Sequence, residues 1–182
     1  MPAGNTYEAI ATQTLGSATA TVTFSSIPQT YTDLVLVMSV RASAVTFNNM
    51  NFMNTTINSD TSAIYSPTTL YYRNTGGGSS ANSGRGTNEN NFNLGGIATN
   101  NFGSGIFSTY IINFMNYSNT TTNKTVLSRI STGGDLTAMD DTWAAAGLYR
   151  STSAISTISM SPSSSGNFVA GSTFSLYGIK AA

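Results

Sequence analysis

Thr19-Ala20-Thr21-Val22-Thr23-Phe24 alternates small or apolar side chains with threonines, and after a turn containing Pro28 comes Asp33-Leu34-Val35-Leu36-Val37-Met38. The first run places Ala20, Val22 and Phe24 on one face and three threonines on the other, as in a half-buried strand. The second is apolar on both faces, the pattern of a central strand covered from both sides. Together they predict a β protein, because the apolar period is two and no long stretch repeats at helical spacing.

The same period marks further strands at Met50 to Ile57, Thr68 to Arg73, Asn91 to Ile97, Ile106 to Met115, Lys124 to Ile130, Thr142 to Tyr149, Ala154 to Met160 and Thr173 to Ile179. With the first two runs, extended as Asp33 to Ala44, they make ten candidates. Turn compositions separate them, among them Gly76-Gly77-Gly78-Ser79-Ser80, Thr132-Gly133-Gly134-Asp135 and Ser161 to Asn167. Ala144-Ala145-Ala146 alone favours a helix and is too short to stand as one. The expectation is an all-β fold, an antiparallel, jelly-roll-like β-sandwich in a single domain spanning 1–182. Residues 46–101, rich in Asn, Gly and Thr with weaker alternation, read as an elaborated, loop-rich insertion that either carries a partner surface or is a plain excursion of the sheet.

The chain of 182 residues holds 26 Ser, 28 Thr and 19 Asn, with no Cys and no His. Charged residues make up 8 %, against roughly 25 % in an average globular protein, and seven basic residues balance seven acidic ones. Arg41, Arg73, Arg85, Lys124, Arg129, Arg150 and Lys180 are scattered singly, so no basic stripe exists for a phosphate backbone. Near-zero net charge favours self-association, as in a protein whose surface is used in an assembly. The start, Met1-Pro2-Ala3-Gly4-Asn5, lacks the basic and apolar regions of a signal peptide, and no apolar run approaches the ~20 residues of a membrane span. A soluble protein made in a cytoplasm is expected, without membrane or nucleic-acid partners.

The absence of His and Cys removes imidazole-based triads, thiol nucleophiles and thiolate metal sites. Asp140-Asp141 is the one adjacent carboxylate pair, and strand geometry would point its members to opposite faces. Asp135, Asp140 and Asp141 have oxygen ligands suited to calcium but not the spacing of a calcium loop, and they read as solvated turn residues capping strand ends. Gly76-Gly77-Gly78 and Gly84-Arg85-Gly86 lack the Lys-Ser/Thr ending of a phosphate loop and read as flexible loop. No catalytic residue, cofactor or metal ligand is expected. Aromatic rings are the remaining contact candidates: Trp143, near Asp140, Asp141, Tyr149 and Arg150, and the run Tyr71-Tyr72-Arg73. A lone Trp in a β protein is more often a core anchor, and strand packing is the corresponding alternative for the tyrosines.

Two groups of residues carry a family likeness. The opening has Tyr7-Glu8-Ala9-Ile10-Ala11-Thr12, then Val22-Thr23-Phe24-Ser25-Ser26-Ile27-Pro28, then Tyr31-Thr32-Asp33-Leu34-Val35-Leu36. The close has Trp143 near Gly147-Leu148-Tyr149-Arg150, Ala154-Ile155-Ser156-Thr157-Ile158, and Phe174-Ser175-Leu176-Tyr177-Gly178-Ile179. This pattern resembles the β-sandwich domain of virion structural proteins of tailed phages, including those infecting cyanobacteria. The resemblance implies a non-enzymatic virion protein, assembled in the host bacterial cytoplasm. One form is a capsid decoration (cement) protein that binds the major capsid protein and copies of itself, as a homotrimer. The alternative is a tail-fibre or tail-tip adhesin that stacks host polysaccharide on Trp143 and Tyr71-Tyr72. No coiled-coil heptads precede the domain, which favours decoration over a fibre. Within the final motif, Gly178 is expected to admit the close approach of another backbone.

Overall fold

In the computed structural model, which describes residues 6–43, 51–74, 78–134, 140–163 and 166–180, strands follow one another almost without helix. Twelve are present among the described residues: β1 (Tyr7–Thr14), β2 (Val22–Phe24), β3 (Asp33–Val40), β4 (Asn51–Ile57), β5 (Tyr65–Asn74), β6 (Ser79–Arg85), β7 (Phe92–Ile97), β8 (Ser108–Met115), β9 (Lys124–Thr132), β10 (Asp140–Tyr149), β11 (Ile158–Pro162) and β12 (Thr173–Ile179). A single 3-10 turn at Asn100–Phe102 interrupts them. An eight-stranded sheet in the order β1-β12-β3-β8-β9-β10-β5-β6 packs on a four-stranded sheet in the order β2-β11-β4-β7. All pairings between these strands are antiparallel. The protein is an antiparallel β-sandwich, jelly-roll-like in that the chain crosses repeatedly between its layers.

Alternation decides which side chains fill the space between the sheets. Leu34, Leu36, Met38 and Val40 of β3 meet Tyr110, Ile112 and Phe114 of β8 along the inner face of the large sheet. Met53 and Ile57 of β4, Ile158 and Met160 of β11, and Phe92 and Leu94 of β7 face them from the small sheet. Buried tyrosines satisfy their hydroxyls across the core, as burial requires: Tyr110 donates to the Gly96 carbonyl at 2.6 Å and Tyr65 to the Asp60 carbonyl at 2.7 Å.

All ten expected strands are present, with shifted ends. Of the run from Thr19, only Val22–Phe24 is strand, and the run from Ala154 starts pairing at Ile158. Two strands escape the alternation rule. β1 and β6 are sheet edges: β6 is exposed at six of its seven positions, and β1 packs only Ile10 and Ala11 partly against the core. The segment 46–101 is strand-rich rather than loop-rich, a correction to the insertion reading: it supplies β4 and β7 to the small sheet and β5 and β6 to the large one. Its polar composition reflects the edge position of β6 and the exposed faces of its neighbours. Residues 44–50 and 75–77, which include Gly76 and Gly77, lie outside the described residues.

The C-terminal motif forms β12, between β1 and β3. What approaches Gly178 is a ring and not a backbone: a Cβ at this position would meet three ring carbons of Tyr31 at 2.3–2.5 Å. Tyr31 donates to Glu8 Oε2 at 3.1 Å, and Lys180 Nζ donates to Glu8 Oε1 at 2.5 Å. Gly178 thus lets the ring lie flat on β12 and tie the two ends of the described chain together. Gly178→Ala is expected to cost about 1–3 kcal/mol through overpacking and to lower the thermal midpoint by several degrees. Adding Tyr31→Ser, which removes the ring, should recover part of that loss in a double-mutant cycle read by calorimetry. Strictly additive effects would show that the ring is not the cause.

Candidate functional site

The register of β5 against β10 places Tyr71 opposite Trp143, Tyr72 opposite Thr142 and Arg73 opposite Asp141. Successive side chains on a strand point to opposite faces. Tyr71, Arg73, Asp141 and Trp143 therefore turn toward the small sheet, while Tyr72 stands on the outer face of the large one. Three of the four expected contact residues converge, and Tyr72 is separated from them by the sheet itself.

The converging residues form a packed cluster. The Tyr71 and Trp143 rings stack with centroids 4.3 Å apart and planes 15° from parallel. Phe52 of β4 meets the indole edge-on at 6.0 Å. The Arg73 guanidinium lies 5.4 Å from the Tyr71 centroid, 5.5 Å from that of Trp143 and 5.8 Å from that of Phe52, within cation–π range of all three rings. Gly95 of β7, at φ 119°, completes the packing: a Cβ there would lie 2.3 Å from Ile130 Cδ1 and 3.2 Å from Trp143 Cγ. Trp143 is consequently 7 % exposed, the geometry of a core anchor.

Charge enters through Asp141, which is 1 % exposed. Its Oδ2 accepts a hydrogen bond from Trp143 Nε1. Its Oδ1 lies 3.5 Å from Arg73 Nε, a charge contact without a hydrogen bond, since Arg73 Nε, Arg73 Nη2 and Asp141 Oδ1 find no hydrogen-bond partner among the described residues. Burial pushes the Asp141 carboxyl up to about 6, against the opposing pull of Arg73 and Trp143. The expectation that Asp141 is a solvated turn residue is corrected: it is a buried strand residue. Asp140 matches the expectation better, being exposed and accepting from the Gly134 amide at 2.9 Å. The two carboxylates point apart, and Asp135 lies outside the described residues.

Tyr149 and Arg150 sit at the other end of β10 and do not join the cluster. Arg150 Nη2 donates to the Ala63 carbonyl at 2.8 Å and to Asn88 Oδ1 at 2.7 Å, which clamps two turns. Among the described residues no group of three or more His, Cys, Asp or Glu is assembled as a metal site.

Two concavities adjoin the cluster. A cleft of about 360 Å³ between the sheets is lined by Phe52, Tyr71 and Trp143 together with Glu89, Asn91 and Asn93. On the outer face of the large sheet, a broader depression of about 640 Å³ runs over Leu70, Tyr72, Ile111, Arg129 and Ala144. Alternation within Thr68 to Arg73 and Lys124 to Ile130 places Leu70 and Leu127 on the face opposite their buried neighbours, a signal present in the sequence.

Asp141 gives the protein a specific pH response. A carboxyl raised from 3.8 to about 6 by folding binds its proton more tightly when folded. Its stabilising effect is complete below about pH 4 and is lost as pH rises through about 6. The chain has no histidine to titrate in the same window. The thermal midpoint should fall between pH 4.5 and 7, by on the order of 2–3 kcal/mol in stability, and Asp141→Asn should flatten that slope. An unchanged slope in the variant would place the titrating group elsewhere. Comparison of the chain with protein-family models, curated proteins and solved structures finds no match.

Proposed function

We propose that this chain is a non-enzymatic structural protein of a tailed-phage virion, a capsid decoration protein that docks its large sheet on the major capsid protein. The observation that carries this reading is the composition of the outer sheet face. Antiparallel sheets with one solvated face alternate apolar-in and polar-out. Here one outward row runs Val37, Ile111, Arg129, Ala144, Leu70, and the next runs Val35, Asn113, Leu127, Ala146, Thr68. Leu70 is 63 % exposed and Leu127 46 %, while Met115 and Leu148 extend the band. Among the described residues no layer of this chain covers Leu70, Leu127 or Val37. Of the apolar outer positions of β3, expected to lie under a second layer, Val37 is exposed within the band, while Val35 is buried at 5 % exposure.

Exposed contiguous apolar surface on a β-sheet marks a protein contact. The complementary partner surface is apolar with one carboxylate to meet Arg129, and many copies on a lattice would add weak contacts into firm attachment. The lack of His and Cys and the divergence of Asp140 from Asp141 support a non-enzymatic role. The resemblance supplies the virion, the capsid partner, the copies of the chain itself and assembly in a bacterial cytoplasm. The inter-sheet cleft favours a second reading, a tail adhesin: its ring edges, amides and Glu89 carboxylate offer the chemistry that sugar hydroxyls need.

The test is rebinding of purified protein to heads that lack it. Wild-type protein is expected to bind and to raise the temperature at which heads burst. Leu70→Asp with Leu127→Asp should lose at least tenfold in affinity while its own thermal midpoint stays within a few degrees, since both positions are exposed. Full binding by the variant, or heads no more stable with the protein than without it, would overturn the reading. Binding to host glycans in place of heads would move it to the adhesin.

A further inference from the structure

The sandwich has four edge strands, and three carry recognised protection against pairing with another chain. β1 is bulged between Ala9 and Ala11 and bears Glu8 in its ion pair with Lys180. β2 is three residues long. β7 is buried along nearly its whole length against the large sheet. β6 has none of these devices. It is seven residues long, pairs with β5 in unbroken register, contains no Pro, Lys or acidic residue, and is exposed at six of its seven positions.

The free side of β6 can be assigned atom by atom. The Gly86 amide donates to the Pro67 carbonyl of β5, which sets the phase of the ladder. In an antiparallel pair, hydrogen-bonded and non-hydrogen-bonded positions alternate. The amides of Asn82 and Gly84 therefore point to β5, and those of Ser79, Ala81, Ser83 and Arg85 point outward, with their carbonyls. Among the described residues no strand lies beyond β6 to receive them.

We infer that β6 is a self-association edge, pairing antiparallel with β6 of a second copy about a two-fold axis through Asn82. This register uses the whole strand. It sets Ser79 against Arg85 and Ala81 against Ser83, so every outward amide and carbonyl meets a partner. At the axis, Asn82 faces Asn82 in a non-hydrogen-bonded pair, where side chains approach closest and two amides can bond to each other. Charge permits it: each Arg85 faces a serine, and the two arginines lie about 20 Å apart, well beyond a Debye length. A like charge or a bulky side chain at the axis would not tolerate its own image in this way. The contact is isologous and closes on itself, so it produces a dimer in place of the trimer that the resemblance implies. It uses the backbone edge of the sheet and not its outer face, which Ala81 and Asn82 border, and it holds whether or not the partner of that face is a capsid.

Sedimentation velocity of the full chain, from one to several hundred micromolar, tests the inference. A monomer–dimer equilibrium is expected. Asn82→Asp places like charges directly opposite and should weaken the dimer at least tenfold at pH 7, with partial recovery at high salt or below pH 4. Ser83→Pro removes an outward amide while sparing the β5 ladder and should weaken it similarly. Thr12→Asp, on the β1 edge, should leave it unchanged. A monomer throughout, a trimer, open-ended association, or a dimer indifferent to both β6 variants would each overturn the inference.

Discussion

Everything distinctive about this molecule follows from a mismatch in width. At about 4.8 Å per strand, eight strands span about 34 Å and four span about 14 Å, so the small sheet covers only the middle of the large one. The large sheet must finish its inner face by other means at both flanks. On one flank, Tyr31 lies on Gly178 and Ile10 and Ala11 fold inward against the core. On the other, Phe52, Tyr71, Trp143 and Arg73 extend the core past β7, and beyond them β6 projects with little beneath it. The inter-sheet cleft is the gap left where this extension ends.

The second flank also explains why a charge pair is buried there. A guanidinium offers flat faces to rings and a long apolar stem, which lets it plug the rim of an aromatic cluster where an aliphatic side chain would leave its own end against water. Its charge then requires a counter-charge inside the low-dielectric rim, and Asp141 is the nearest inward position on the neighbouring strand. Burying that carboxylate is costly, and Trp143 offsets part of the cost by donating from its indole. Arg73, Asp141 and Trp143 are thus one unit, in which the aromatic packing and the ion pair each make the other tolerable.

How much of this was legible in the sequence depended on whether a side chain or a backbone carries the information. The inward rows of β3, β8, β9 and β10 alternate so regularly that strands, sheet faces and most of the core follow from period two alone. The outward rows were equally legible: Leu70, Leu127 and Leu148 break the polar-out rule in plain view. β6 was not, because an edge strand exposed on both faces leaves no hydrophobic trace, and β1 was not, because its bulge sets the adjacent Ile10 and Ala11 both against the core and breaks the period of two. The meeting of Tyr71 with Trp143, and of Arg73 with Asp141, rests on the register of two strands about 70 residues apart in the chain, which no local pattern encodes. Gly178 was legible as a place of close approach, and only the fold could say that Tyr31 approaches it.

Trp143 is the only tryptophan in the chain. All indole emission from the protein therefore originates at one point on one flank, between a stacked tyrosine, a guanidinium and a carboxylate. An optical signal from this protein reports the state of the rim and not an average over the sandwich. Spectral changes that run ahead of the loss of strand circular dichroism on heating would reveal that the flank opens as a separate unit, before the middle of the sheet, packed under the small one, gives way.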